Sequence, residues 1–265
     1  MPTRDDAWPA GTPNWVDLAA DDPQAAAEFY SQLFGWDVAD PDPETAEQTG
    51  GYRMAMKNGR AAAGIGSKMG QDIPSNWATY LASDDIEASA EAVKAAGGTL
   101  QMDPFDVMTF GKMFFATAPD GASFGVWQAG DHIGAQIYNE PGSYNWNEVH
   151  SRDLDAAKEF YASAFGYTYD DMSGEQGPYF GFKVPGGDEP VGGMGPADML
   201  PEGAPSIWLA WFSVEDCDAS VAKVQELGGS VLAEPFDTPF GRMSVVTGAQ
   251  GEAFGMISAP AAAEA

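Results

Sequence analysis

Residues 145–166, NWNEVHSRDLDAAKEFYASAFG, repeat an earlier stretch, residues 14–35, NWVDLAADDPQAAAEFYSQLFG. The offset between the two stretches is constant, because 145 − 14 and 166 − 35 both equal 131. An Asn-Trp pair, two adjacent alanines, Glu-Phe-Tyr and a closing Phe-Gly recur in register. A repeat of this length and regularity indicates a tandem duplication, so we interpret the chain as two related halves.

Each copy predicts a strand followed by a helix. The alternation in WVDLAA is typical of a strand that has one face on an apolar core. Asp22 and Pro23 then supply an N-cap and a first-turn proline, and apolar residues recur at helical spacing as far as Gly35. Glycine is the residue that most often ends a helix, so the predicted helix runs from Pro23 to just before Gly35.

Each half also contains a second strand and helix of the same kind. WATYLAS, from residue 77, predicts a strand, and Asp85 caps a helix that ends at Gly-Gly, 97–98, a pair that recurs at 228–229. Short strand-like runs follow each helix, and Asn58-Gly59 is a strong hairpin signal between two of them. We therefore predict an α+β protein of four βαβββ units. Its predicted segments are a lead-in (1–13), a first domain (14–128), a linker strap (129–144), a second domain (145–258) and a flexible tail (259–265).

The chain is strongly acidic, with 40 acidic and 12 basic residues and a net charge of −28. Such a field repels nucleic-acid phosphates and anionic lipids, which argues against both as partners. The sequence shows no apolar run of membrane-spanning length and no signal-peptide pattern at its start, so a cytoplasmic protein is expected. The acidity is typical of adaptation to high salt. Cys217 has no histidine beside it and is interpreted as an ordinary small residue.

Several longer motifs agree at fixed spacing: WVDL before EFYSQLFGW, WNEVHSRD before EFYASAFGY, the linker GAQIYNEPGSYNW, and paired PFD…FGK and PF…GRM segments. Together they resemble the vicinal-oxygen-chelate superfamily, which includes glyoxalase I, extradiol dioxygenases and bleomycin-resistance proteins. Within it they look like a two-domain glyoxalase-like or hydroxylase-like subfamily. The resemblance implies that the units pair into two cup-shaped glyoxalase-like domains. It does not fix the function, because this fold hosts lyases, isomerases, dioxygenases and drug binders alike.

The resemblance also implies where a metal would be held in each cup. Metal-dependent members typically have a His or Gln on the first strand of a unit and a Glu on the last. In this sequence those positions fall on residues that are not ligand types, namely Trp15, Gly125 and a residue near Ala78 in the first half, and Trp146, Gly255 and a residue near Leu209 in the second. No cofactor is therefore predicted, and a divalent metal would need a different set of donors.

The alternating residues Trp146, Glu148 and His150 are the candidates for chemistry, since a period of two places all three on one strand face. A carboxylate beside an imidazole can act as a general acid and base, or anchor a polar group of a ligand. A third interpretation is structural, with the pair hydrogen-bonded to neighbouring elements. The first half has Asp17 and Ala19 at the positions of Glu148 and His150, so the second cup has more reactive groups.

Further side chains are expected to line a ligand in one or both cups. They are Trp15, Asp17, Tyr52, Met54 and Met56 in the first half and Trp146, Tyr179, Phe180 and Trp211 in the second. Aromatic residues and methionine suit a flat hydrophobic ligand, although the same residues also fill ordinary cores. Lys112 and Arg242 recur at one position in the two halves and would either bind a ligand carboxylate or pair with a nearby acid. His132, in the linker, is interpreted as structural.

Three functions fit these observations. The first is a small-molecule-binding protein of the bleomycin-resistance type, without the usual metal ligands, that holds a hydrophobic or aromatic ligand in a cup. The second is a glyoxalase-like lyase or hydroxylase-like enzyme that uses Glu148 and His150. The third is a stress-related protein whose cups are vestigial. The expected partner is a small molecule, and the expected state is a monomer or homodimer.

Overall fold

The computed structural model describes residues 2–70, 73–174 and 177–260, and its strands form one sheet in each half of the chain. The elements of the first half are, in order, β1 (Pro13–Ala20), α1 (Pro23–Phe34), β2 (Asp37–Val38), α2 (Pro43–Thr49), β3 (Arg53–Lys57), β4 (Arg60–Ser67), β5 (Asn76–Ser83), α3 (Ile86–Ala95), β6 (Thr99–Leu100), β7 (Phe105–Val107), β8 (Gly111–Thr117) and β9 (Ser123–Ala129). Those of the second half are β10 (Tyr144–Ser151), α4 (Leu154–Phe165), β11 (Thr168–Asp171), β12 (Phe180–Lys183), β13 (Gly192–Pro196), β14 (Ile207–Ser213), α5 (Cys217–Glu226), β15 (Ser230–Thr238), β16 (Gly241–Thr247) and β17 (Ala253–Ser258).

The two sheets have the same strand order. The first runs β2-β3-β4-β1-β5-β9-β8-β6, with β7 also paired to β8, and the second runs β11-β12-β13-β10-β14-β17-β16-β15. The two units of each half are joined where their first strands pair antiparallel, β1 with β5 and β10 with β14. The predicted α+β architecture of four βαβββ units is therefore confirmed, and each sheet is built from one half of the chain.

The duplicated helices α1 and α4 begin and end at the predicted residues. Asp22 Oδ1 accepts hydrogen bonds from the backbone N–H groups of Gln24 and Ala25, and Gly35 ends α1 in the left-handed conformation with φ of 67°. In the duplicated helix α4, Asp153 caps the start and Gly166 ends it in the same conformation. These local signals place each helix against the face of the sheet that carries the apolar residues of the first strand.

The apolar cores join the two halves. In one core, Val16 and Leu18 of β1 and Phe29 of α1 lie with Phe212 of β14 and Val221 of α5. A second core brings α3 together with α4 and the neighbouring strands of both halves. The first unit thus packs against the fourth and the second against the third, which leaves the opposite face of each sheet to form the cups.

Two local predictions were wrong. The segment Pro43–Thr49 forms a helix that apolar periodicity does not reveal, because none of its residues is buried and its main signal is the cap at Asp42. The predicted strand at residues 99–105 is divided into β6 and β7, and Pro104 between them has no N–H to donate to a ladder. Neither difference alters the cup faces.

The segment between the two sheets is held by backbone hydrogen bonds. Ala135 N–H donates to the Asn14 carbonyl at 2.7 Å, and Gln136 N–H donates to the Ala61 carbonyl at 2.8 Å. These bonds keep the segment against β1 and β4 of the first half. Among the residues that the structure describes, no helix is both long and apolar enough to cross a membrane.

Candidate ligand-binding site

We call the face of each sheet that carries Trp15 or Trp146 its cup face. In the second half, alternation along β10 brings Trp146, Glu148 and His150 to this face, as the sequence predicts. Their neighbours Asn147 and Val149 are fully buried on the opposite side. The strand therefore presents one aromatic, one acidic and one imidazole group to the same space.

A chain of hydrogen bonds connects the polar groups of the second cup. His150 Nε2 lies 2.9 Å from Glu148 Oε1, and the Tyr179 hydroxyl donates to Glu148 Oε2 at 2.8 Å. The indole N–H of Trp146 donates in turn to the Tyr179 hydroxyl oxygen at 2.9 Å. On its other side, His150 Nδ1 lies 3.4 Å from the Pro196 carbonyl oxygen. Both carboxylate oxygens of Glu148 are thus engaged within the protein.

The charges of this cluster support an ion pair. Burial opposes ionisation of Glu148, but the hydrogen bond and positive charge of His150, with help from Tyr179, leave its pKa below the ordinary value. Burial likewise opposes the imidazolium, yet Glu148 and the Pro196 carbonyl raise the pKa of His150 above its ordinary value. At neutral pH the buried pair therefore holds one negative and one positive charge, with both imidazole nitrogens acting as donors.

Glycines make room for the tyrosine of this cluster. Gly193 of β13 lies opposite Glu148, and a Cβ atom added there would collide with the Tyr179 hydroxyl. Gly64 of β4 is its counterpart in the first half, where a Cβ atom would collide with the Tyr52 hydroxyl. A Gly-x-Gly sequence occurs at both places, 64–66 and 193–195, so this repeated motif is a sequence signal for a tyrosine that lies flat on the sheet.

The first cup has a similar chain of hydrogen bonds, but its carboxyl group lies in a different environment. Trp15 donates to the Tyr52 hydroxyl at 3.0 Å, and both Tyr52 and Tyr80 donate to Asp17 Oδ2, at 3.3 and 2.9 Å. Burial raises the pKa of Asp17 to about 6, despite these two hydrogen bonds. Ala19 stands where the second half has His150, so this carboxyl has no imidazolium beside it.

His132 closes the first cup. Its ring packs edge-on against Trp15 and Trp127, with centroid distances of 4.4 and 5.5 Å, and its carbonyl accepts the indole N–H of Trp127 at 2.8 Å. Burial lowers the pKa of His132 to about 4, so the ring is neutral at ordinary pH. Trp15 beneath it is only 3% exposed. The structural role that the sequence suggests for His132 fits this packing.

The second cup is more open at the equivalent places. Strand alignment puts Ile257 at the position of Trp127. Trp146 is only partly buried, whereas the equivalent residue Trp15 is buried. Phe240, the counterpart of Phe110, is 60% exposed, whereas Phe110 packs against the first core. The two halves therefore share a polar cluster but differ in how much of the cup their own side chains fill.

Strand register shows which residues lie in the same row as Trp15 and Trp146, the implied first-strand positions. Trp15 lies opposite Tyr80, which pairs with Gly125. In the second half the corresponding row is Trp146, Trp211 and Gly255. The residues in line with Trp15 and Trp146 are therefore Tyr80 and Trp211, two residues beyond the positions near Ala78 and Leu209.

These rows do not fit a divalent metal. Indole, phenol and glycine offer neither imidazole nor carboxylate, and the rings of Tyr80 and Trp211 cover Gly125 and Gly255, where a glutamate ligand would start. Within residues 2–70, 73–174 and 177–260, no three His, Cys, Asp or Glu side chains are grouped to hold a metal ion. The nearest alternative, Glu148 with His150, supplies only two such donors.

Three other residues considered in the sequence analysis, Met54, Phe180 and Cys217, lie outside the polar clusters of the two cups. Met54, beside Gly64, packs against the first core and is partly exposed. Phe180 does not face the second cup with Tyr179, because the Lys158 ammonium lies 3.6 Å from its ring centre on the α4 side. Burial raises the pKa of Cys217 to about 11, as expected for an unreactive thiol.

The repeated basic residues form ion pairs. Lys112 lies 3.2 Å from Glu87 and 3.9 Å from Asp106, and Arg242 pairs with Asp218 and Asp237. All of these side chains are partly or largely exposed, so the pairs contribute little to stability. Of the two interpretations of Lys112 and Arg242, pairing with nearby acids is the one that the structure displays.

Tyr80 and Trp127 are site residues that the sequence reasoning missed. Tyr80 stands 131 residues before Trp211, so the repeat that identified Trp211 also contains the signal for Tyr80. Trp127 has no aromatic counterpart in the second half, where Ile257 stands, and its contact with His132 depends on the path of the linker. Only the three-dimensional structure brings these two together.

Comparison with known proteins places both halves in one family. The model of the Glyoxalase/Bleomycin resistance protein/Dioxygenase superfamily matches residues 12–126 and 143–255. The chain is 40% identical over 262 residues to "Putative glyoxylase CFP32" of Mycobacterium tuberculosis, covering 97% of this chain and 98% of that protein. It is 35% identical over 266 residues to "Anthracycline biosynthesis protein DnrV" of Streptomyces peucetius, covering 93% of each.

Solved structures share the fold at low sequence identity. The Mn(II)-bound glyoxalase from Novosphingobium aromaticivorans superposes with a TM-score of 0.65 at 17% identity, covering 94% of this chain and 82% of that one. At this identity the likeness concerns the fold alone. It agrees with the arrangement of two sheets built from βαβββ units.

Proposed function

This chain belongs to the Glyoxalase/Bleomycin resistance protein/Dioxygenase superfamily, and on that premise we propose that it binds a flat, largely aromatic small molecule in its second cup. The proposed site has Trp146 and Trp211 as its apolar walls and Tyr179, Glu148 and His150 as its polar end. Binding at this site requires no metal at the row that Trp146, Trp211 and Gly255 occupy.

The observation that carries this proposal is the contrast between the cups. In the first, His132 lies on Trp15 and Trp127 and occupies the space above them. In the second, Trp146 is partly exposed, and Phe240 at the rim is 60% exposed. An aromatic surface that stays accessible beside a buried polar cluster is the usual make-up of a small-molecule site.

The polar cluster supplies orientation. The ion pair between Glu148 and His150 is fixed by Tyr179 and by the Pro196 carbonyl, so its groups need little reordering when a ligand arrives. A ligand hydroxyl can donate to a remaining lone pair of Glu148 or of the Tyr179 hydroxyl oxygen. The named relatives support a small-molecule ligand, since one is called a glyoxylase and another an anthracycline biosynthesis protein.

Calorimetry with fluorenone, a flat aromatic ketone, tests the proposal. The unchanged protein should bind it, and Trp146→Leu should weaken binding about tenfold because it removes a stacking surface. Trp15→Leu is the matched control at the equivalent position and should leave the affinity within about twofold. Circular dichroism checks that both variants fold. Absence of binding to the unchanged protein, or equal losses in both variants, would contradict a site in the second cup.

A second function, acid–base catalysis by Glu148 and His150, is favoured by their 2.9 Å contact. A positioned carboxylate–imidazole pair is able to move a proton on a bound substrate, as a lyase or a hydroxylase-like enzyme requires. Mass spectrometry of fluorenone and related ligands after incubation with the protein would reveal product. His150→Ala should abolish any turnover while leaving bound ligand, and turnover that survives it would remove the catalytic role.

A third function, a stress-related role with vestigial cups, is favoured only by the first half, where His132 fills the cup. It predicts that neither cup takes up an aromatic ligand. The same calorimetric titration therefore separates it from the proposed binding function. We further propose that the protein acts in the cytoplasm as a monomer or homodimer. Sedimentation analysis of the purified chain would test the proposed oligomeric state.

A further inference from the structure

Trp211 has a buried hydrogen-bond donor that forms no well-aligned hydrogen bond within the protein. The side chain is 3% exposed, and its indole nitrogen has no hydrogen-bond partner within the protein. Its N–H lies close enough to Glu148 to help lower the pKa of that carboxyl, but it does not reach hydrogen-bond geometry with either oxygen, and these oxygens accept from His150 and Tyr179. A buried N–H without a partner is rare in folded proteins and calls for a physical reason.

The first cup shows that this spare donor is not a general property of the fold. Tyr80 occupies the position of Trp211, opposite Trp15 in the sheet, and donates its hydroxyl hydrogen to Asp17 at 2.9 Å. There the carboxyl group accepts from two tyrosines and no donor of the row is left over. In the second half the Trp211 N–H approaches Glu148 without forming a hydrogen bond of that quality, so the donor is incompletely satisfied in the cup that is also open.

We propose that the indole N–H of Trp211 donates to a carbonyl oxygen of the ligand, so that the ligand class is planar aromatic ketones and quinones. This inference rests on the proposed function of the second cup. The ligand would lie along Trp146 and place its carbonyl oxygen at the end of the row formed by Trp146, Trp211 and Gly255. Tyr179 and Glu148 would then receive a hydroxyl on the same ring system.

Charge favours a carbonyl over a carboxylate or an amine. The positive charge of His150 is already balanced by Glu148, and two further cations of the second half, Arg242 and Lys183, are paired with aspartates. A ligand carboxylate would thus enter an acidic protein without a counter-ion, at a desolvation cost. An ammonium group has no lone pair for the indole N–H to reach. A neutral carbonyl accepts the hydrogen bond without either penalty.

The side chains over Trp211 permit access. Trp211 lies in a small cluster with Leu209 and Val245, against which Met243 and Ile257 pack while remaining partly exposed. Methionine is unbranched and adopts several rotamers easily, so Met243 is able to move aside for a ligand. Trp211 is therefore bordered by side chains that reach the surface.

The test compares fluorenone with fluorene, which has the same ring system without the carbonyl oxygen. The unchanged protein should bind fluorenone about tenfold more tightly than fluorene, the difference that one buried hydrogen bond makes. Trp211→Phe keeps an aromatic ring over Gly255 but removes the N–H. It should bind both compounds with the affinity that the unchanged protein has for fluorene.

NMR of protein labelled at the tryptophan indole nitrogens gives a second measurement that does not depend on the variant. Fluorenone should move the Trp211 N–H resonance downfield, and fluorene should not. If both compounds bind the unchanged protein equally and the Trp211 resonance responds to neither, the carbonyl inference is overturned while the binding function stands. If neither compound binds, the proposed function and this inference both fail.

Discussion

The two cups begin from the same residues and reach different states. Each has a tryptophan that donates to a tyrosine, which donates to a carboxylate on the first strand. In the first half the carboxylate is held by a second tyrosine, and a histidine from the linker covers the tryptophan. In the second half an imidazole holds the carboxylate and the tryptophan stays partly exposed. Duplication thus preserved a polar framework while one copy became a filled core and the other kept an open face.

The largest expected effect comes from adding a methyl group beneath each tyrosine. Gly64→Ala should lower the free energy of unfolding by about 3 kcal/mol, because Tyr52 is fixed by Trp15, which is buried under His132. Gly193→Ala should cost only about 1 kcal/mol, because Trp146 beside Tyr179 is partly exposed and leaves the two rings room to shift together. Urea denaturation of the two variants checks this. Equal losses would contradict the difference in filling.

The carboxylates should respond oppositely to neutralisation. Burial raises the pKa of Asp17 from 3.8 to about 6, so its charged form is a cost that appears as pH rises through that range. Asp17→Asn keeps an oxygen acceptor and should therefore stabilise the protein at neutral pH by about 1 to 2 kcal/mol. Glu148→Gln should destabilise it by a similar amount, because His150 is left without its counter-charge.

The pH dependence of the free energy of unfolding tests separately whether Glu148 and His150 form an ion pair. The lowered pKa of Glu148 contributes stability that is lost as pH falls below its ordinary value of 4.5, and the raised pKa of His150 contributes stability that is lost as pH rises above 6.5. The loss of stability caused by Glu148→Gln should therefore be greatest between these values. A loss that does not change with pH would show that the pair is not ionised.

Removing the ring of His132 should open the first cup at a smaller cost. His132→Ala is expected to lower the free energy of unfolding by about 1 kcal/mol, since it deletes an edge-on contact with Trp15 and Trp127. The Trp15 indole should then be quenched by acrylamide, and fluorenone should gain a weak second site. A variant that shows neither change would mean that other groups close the first cup.

Salt should have the smallest effect and act on both halves alike. The net charge of −28 produces repulsion that dissolved ions screen. Raising potassium chloride from about 0.1 M to about 2 M should therefore increase Tm by a few degrees. A Tm that does not change with salt would argue against adaptation to a saline cytoplasm as the reason for the acidity.

Much of the fold was predictable because its signals are local and repeated. The caps at Asp22 and Asp153 and the glycines at 35 and 166 set the helix ends before any tertiary contact is known. The alternation along β10 likewise placed Glu148 and His150 on one face. Duplication made each of these signals appear twice, so a signal found in one half could be checked at the equivalent position of the other.

The rest depended on contacts between segments distant in sequence. The pairing register of β1 with β5 places Tyr80, and not Ala78, opposite Trp15, and a count along the sequence does not reveal that register. The closing of the first cup by His132 depends on the path of the linker. The incompletely satisfied donor of Trp211 is apparent only in the three-dimensional structure.

The most direct measurement of the central claim is an NMR titration with fluorenone that follows the indole resonances of Trp15 and Trp146 in one sample. The two residues occupy equivalent positions, so each serves as the control for the other. If the second cup is the binding site, the Trp146 resonance should shift and saturate while that of Trp15 stays in place. A saturating shift of Trp15 without a response from Trp146, or no response from either, would contradict the assignment.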